Sequence, residues 1–175
     1  VPINDYEDTL PLKHKNHHPV SELPVSLRRA VIHFILIKAL RVVRGDGSKH
    51  CTMMINVSRF NSVQTAVEGV IYELIQEIHD DLRLNANASN PTKTSVIHEF
   101  EKEYFDEFVN KIADDEYSYP SWKKLKSHLF RGWSVQVETV NMSGGVLDYD
   151  AHKVDGLTVI AIGGLALSRG LTLEG

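Results

Sequence analysis

Two places in this chain set a hydroxyl beside a guanidinium just past a run of apolar, β-branched residues. Ser58-Arg59 follows CTMMINV (51–57), and Ser168-Arg169-Gly170 follows LTVIAI (157–162) and the pair Gly163-Gly164. A guanidinium is always charged and presents a fork of donors to phosphate or carboxylate oxygens. Glycines at a strand end let the backbone turn sharply and let a ligand come close, because no Cβ stands in the way. The chemistry on offer is the grip of an anion. A third turn, Asn141 to Gly145, contains Ser143 and Gly144 and offers backbone amides of the same kind. Lys123, Lys124, Lys126 and Arg131, interleaved with Trp122, can track a phosphate backbone. The structural alternatives are a tight loop with a solvated arginine and a soluble helix face beside a core tryptophan.

Several other chemistries are absent from the sequence. No GxxxxGK[ST] occurs, and Gly45-Asp46-Gly47-Ser48-Lys49 has the wrong spacing for a phosphate-binding loop. No Asp or Glu lies two residues before a lysine, which removes the carboxylate-x-lysine pair of many metal-dependent nucleases. Neither a GxSxG elbow nor a suitably spaced Cys-His pair is present. His14, His17 and His18 lack ligands returning from a second element, so they read as solvated loop residues. The chain is therefore expected to supply no catalytic residue and no metal ligand of its own.

The candidate residues need elements to position them. The runs at 51–57 and 157–162 have the character of strands buried on both faces of a parallel sheet, and Trp133 to Val140 alternates as a third strand. All three are expected to lie parallel, with Ser58, 141–145 and 163–170 on one edge, where open α/β sheets bind ligands. Leu27 to Val43 predicts a helix that is apolar almost all round, started by Ser21 and Pro24 and interrupted by Arg28, Arg29, His33, Lys38 and Arg41. Asn61 or Ser62 caps a second helix carrying Val63, Val67, Val70, Leu74, Ile78 and Leu82. A third, from about Ser95 to Ala113, places Ile97, Phe100, Tyr104, Phe108 and Ile112 on one face and its acids on a solvated one. Trp122 to Phe130 is a shorter fourth. Residues 1–20, with three prolines and no periodicity, form an extended lead-in segment.

Composition fits a soluble globule. The chain has 175 residues, 42% of them hydrophobic and 24% charged, so one domain with a substantial core is expected. A net charge of −4 excludes a general coat of positive charge, and any phosphate must be held by local patches. Cys51 opens an apolar run and reads as a buried small hydrophobe in a reducing, cytoplasmic compartment. No secretory signal and no membrane span are present. The first residue is Val1 and Gly175 falls just after a loop, so a segment of a longer protein is expected.

The stretches CTMMINVSRFNSVQ, VETVNMSGGVLDYD and VIAIGGLALSRGLTLEG, together with LPVSLRRAV, resemble the Z-one (Z1) endonuclease domain family over about residues 21–175. That bacterial family is found beside superfamily 2 helicase modules and in restriction-modification-like defence operons. The layout is also similar to the second RecA-like domain of those helicases. By that resemblance Ser58 and Arg59 match the motif four turn, Gly163 and Gly164 the strand end of motif five, and Ser168, Arg169 and Gly170 its loop. The resemblance implies nucleic-acid contacts at Ser58, Arg59, Ser143, Gly144, Ser168 and Arg169, and nucleotide contacts at Gly163, Gly164, Gly170 and Glu174. This chain departs from the helicase pattern after Arg-Gly-Leu, where Thr172 replaces the usual aspartate and an acid returns only at Glu174.

The fold expected is thus an α/β, RecA-like parallel sheet over 21–175, with a helical insertion at about 85–131 and a truncated C-terminal end. The function expected is that of a segment of an ATP-dependent DNA-acting protein, helicase-like or endonuclease-like, inactive alone. ATP and magnesium would serve the full-length protein, and the partners would be DNA and a first RecA-like domain of the same chain, with no membrane. The alternatives are a non-catalytic α/β interaction domain and a nuclease whose metal site lies elsewhere.

Overall fold

A computed structural model describes residues 3–111, 118–141, 147–164 and 173–175. Two compact units divide the chain: Val1–Arg28, Ser48–Ile75 and Ser134–Gly175 form the first, and Arg29–Gly47 with Gln76–Trp133 the second. The division falls inside the two long helices, α1 (Val25–Val43) and α2 (Asn61–Asn85).

The first unit is built on a three-stranded sheet. Strands β1 (Cys51–Asn56), β2 (Gln136–Val140) and β3 (Thr158–Gly163) lie in the order β1-β3-β2, and both pairings are parallel, as expected. The central strand β3 is buried along its whole length, which is why its sequence is continuously apolar rather than alternating. Asn56 and Val140 both pair with Gly163, so the three strands end level with one another. Glu68 of α2 accepts from the backbone amide and hydroxyl of Thr139, at 3.3 and 2.8 Å, and so satisfies part of the edge of β2. Cys51 is buried and free.

Helix α1 starts at Val25 rather than at Ser21 because its cap comes from elsewhere. The Asp5 carboxylate accepts from the Ser26 amide at 3.0 Å and from the Ser26 hydroxyl, while the Pro24 carbonyl takes the Leu27 and Arg28 amides. The hydrogen bonds from Ser26 hold the Asp5 carboxyl below the usual carboxylate range.

The second unit is helical. The stretch expected as one helix from Ser95 to Ala113 begins as α3 (Ile97–Glu103) and widens into a π-helical turn over Tyr104–Val109, closed by the Asn110 amide on the Phe105 carbonyl. Ile97, Phe100 and Tyr104 are buried as predicted. The acids are not all solvated, however. Glu103 is only 5% exposed and receives Arg29 Nε and Nη2 at 2.9 and 3.0 Å and His33 Nε2 at 2.7 Å. A short α4 (Trp122–Lys126) follows, ending four residues before the predicted Phe130. Phe130 and Gly132 both take positive φ and reverse the chain. Trp133 stays with this turn, stacked on Phe130 with its Nε1 donating to the His128 carbonyl, so β2 begins only at Gln136.

Candidate functional site

The carboxyl edge of the sheet gathers one group of candidate residues. The Val57 amide donates to the Gly163 carbonyl at 2.9 Å, which carries the β1–β3 pairing one step past Asn56. The chain then turns at Ser58, Arg59 and Phe60 into α2. Ser58 is buried, and its carbonyl accepts from Gln64 Nε2 at 2.7 Å. A Cβ at Gly164 would overlap that same carbonyl oxygen and stand 3.0 Å from Gln64 Nε2. The close approach that the glycine permits is therefore made by the protein's own backbone.

The Ser58 hydroxyl is also occupied, by the Phe60 amide at 3.1 Å and His14 Nε2 at 2.7 Å. His14 Nδ1 lies 2.7 Å from the Pro11 carbonyl, which can only accept, so Nδ1 carries a proton, and in the neutral ring Nε2 accepts from Ser58. This corrects the reading of His14 and His18 as solvated loop residues, while the His17 side chain is exposed as expected. His18 Nε2 reaches the Thr9 carbonyl and the His17 amide donates to Ser62 Oγ, so the lead-in segment is laced to the β1–α2 turn. His14 and Ser58 are 44 positions apart, and no local pattern signals their contact.

Arg59 faces outward. Its guanidinium lies 4.8 Å from the Phe60 ring centroid, and among the described residues it has no carboxylate partner. Beside it opens a cavity of about 900 Å³, walled mainly by apolar side chains such as Tyr6, Leu23, Leu27 and Val67, with Ser58, Arg59, His14 and Gly164 at its polar side. A large apolar recess with a few convergent polar groups at the strand ends of a parallel sheet is where such folds hold ligands.

Glu174 is not brought to this edge. Its carboxylate lies 3.7 Å from His50 Nε2, and its carbonyl accepts from Thr52 Oγ1 at 2.7 Å. Those partners stand at the start of β1, about 16 Å from its end at the usual strand rise. His50 Nδ1 accepts from the Leu157 amide and Tyr149 donates to Thr52, so this amino edge is a packed anchor. The candidates Ser143, Gly144, Ser168, Arg169 and Gly170 lie outside the described residues. Among the described residues no three His, Cys, Asp or Glu side chains converge as metal ligands, and no helix is long and apolar enough to cross a membrane.

The fold and site define a mixed α/β domain whose small parallel sheet collects its strand ends on one arginine-bearing, cavity-lined edge. The sequence profile of the Z1 domain family matches residues 26–175, and the chain belongs to that family. Neither a curated protein nor a solved structure matched it.

Proposed function

We propose that this chain is the second RecA-like domain of an ATP-dependent DNA-acting protein, helicase-like or endonuclease-like and of bacterial restriction or phage-defence type, and that its carboxyl edge grips phosphate through Arg59. One observation carries the reading: a guanidinium without a carboxylate partner among the described residues, placed at the level strand ends of a parallel sheet beside an open cavity. Membership of the Z1 family supports it, as does the resemblance of this chain's strand-end turns to the second RecA-like domain of superfamily 2 helicases. In this reading Ser58 and Gly164 act as positioning residues that fix the turn carrying Arg59. Ser143, Gly144, Ser168 and Arg169 would add further DNA contacts, and Gly163 and Gly170 would face nucleotide. The setting is cytoplasmic.

The edge suits a phosphate but not magnesium. The cavity lining includes one acid, Glu22, and a magnesium–phosphate centre needs carboxylates that converge on it. Magnesium and the phosphate-binding lysine would belong to a first RecA-like domain, so the chain alone is expected to release no phosphate from ATP. Turnover that survives stringent purification and is lost on mutating a residue of this chain would defeat that expectation.

Arg59→Ala in the full-length protein should weaken DNA binding by about 1.5–3 kcal/mol, the range for a charge-assisted hydrogen bond, with little change in melting temperature. The slope of log affinity against log salt should become shallower by about 0.9 for duplex DNA. Unchanged DNA affinity would favour a non-catalytic interaction domain, a reading that the apolar cavity wall also suits.

A further inference from the structure

The basic residues after Trp122 have no part in the carboxyl-edge site, and the second unit shows where two of them go. A pocket of about 260 Å³ lies between the end of α2 and the turn after α4. His79, Leu82, Arg83 and Ala86 recur at three and four residues along one face of α2, and Lys126 and Arg131 close the pocket from the turn. Leu82, Ala86 and Leu129 are buried beneath. None of the lining residues is acidic, and Arg83, Lys126 and Arg131 have no carboxylate partner among the described residues. Of the nearest acids on α2, Asp80 meets the lining residue His79 at 3.5 Å, and Asp81 accepts from Ser95. Arg83 in the last turn of α2 also complements the helix dipole. That does not account for Lys126 and Arg131, which arrive from a separate element.

The turn that brings them is held in a costly shape. Phe130 adopts φ 55, a region that a bulky residue rarely enters, and it is braced by Trp133 stacked at 4.8 Å and by the edge of His79 at 5.3 Å. A chain with net charge −4 thus places three cations around one small recess, and their mutual repulsion is relieved by an anion. The volume admits several waters at ~30 Å³ each, or one hydrated tetrahedral anion, and falls below the roughly 300 Å³ at which pockets accept whole drug-sized ligands.

We infer that this pocket is a phosphate-binding site, taking a phosphate group of a nucleic-acid strand or of a small phosphorylated ligand. It stands independently of the carboxyl-edge reading, because Arg59 and the pocket cations are tested by separate variants. The test uses the full chain with Arg83→Gln/Lys126→Gln/Arg131→Gln and a charge-matched control on exposed lysines outside both cavities, Lys15→Gln/Lys93→Gln/Lys102→Gln. Fluorescence anisotropy with a labelled oligothymidylate across a salt series should show the pocket variant at least tenfold weaker than the control, with a slope shallower by about two, from roughly 0.7 per contact on single strands. That result assigns the phosphate to nucleic acid. If oligonucleotide binding is equal in both but millimolar pyrophosphate raises the melting temperature of the control and not of the pocket variant, the ligand is a small phosphorylated molecule. Equal behaviour in both assays overturns the site. Should the triple variant fold poorly, Arg131→Gln on its exposed turn carries the same comparison at about a third of the slope change.

Discussion

Gly164→Ala should lower the stability of this protein by about 2–3 kcal/mol, the upper part of the usual cost of forcing a methyl into a filled space. The added Cβ would overlap the Ser58 carbonyl oxygen, a backbone atom fixed from both sides. Gln64 Nε2 holds that carbonyl at 2.7 Å, and the Val57 amide ties the preceding residue to Gly163. The turn that carries Arg59 must therefore move for the alanine to fit. At this chain length the loss corresponds to a fall of about 4–12 °C in melting temperature. Gly69→Ala provides the contrast, because it lies inside α2 and a Cβ there meets nothing within 4 Å. That change should stabilise by about 0.5–1 kcal/mol through helix propensity. Thermal unfolding of the two variants distinguishes a glycine required by packing from one that is merely tolerated. Equal, small effects at both positions would mean that Gly164 does not hold the turn.

The same residues show what the sequence can and cannot reveal. The three strands and their parallel order were legible because each is a short run bounded by turn residues, and because continuous burial leaves a compositional mark on β3. The double glycine was legible as a place of close backbone approach. What approaches it was not, since Ser58 and Gln64 reach Gly164 only through the parallel pairing of β1 with β3, across about a hundred residues. His14 was hidden for a similar reason: its partners Pro11 and Ser58 come from one turn and one distant strand end. The resemblance groups Glu174 with the glycines, yet the chain carries it back to His50 and Thr52 at the opposite edge. Glu103 left a clue that was open to reading. Arg29 and His33 sit at i and i+4 on a mostly apolar helix, a spacing that sets both on one face, where a single carboxylate can meet them.

That carboxylate is the basis of the second large effect. Glu103 takes a bidentate fork from Arg29 and a third hydrogen bond from His33 while almost wholly removed from water. Burial pushes its pKa up, but the hydrogen bonds and charges of Arg29 and His33 outweigh burial and hold it below its ordinary value of 4.5. Breaking a fully buried pair costs about 3–5 kcal/mol. Arg29 is 43% exposed and can recover water, and Glu107 at 3.1 Å remains beside it, so Glu103→Gln should cost less, about 2 kcal/mol at pH 7. The sign of the pH dependence follows from the lowered pKa. With the folded value below the unfolded one, the ionised carboxylate contributes stability that is present above about pH 4.5 and is lost as pH falls through the folded value. Urea unfolding of wild type and Glu103→Gln should therefore show a gap that narrows steadily as pH falls below about 4.5. A gap that stays the same in acid would show that Glu103 contributes by shape and hydrogen bonding, and that its charge does not hold α1 to α3.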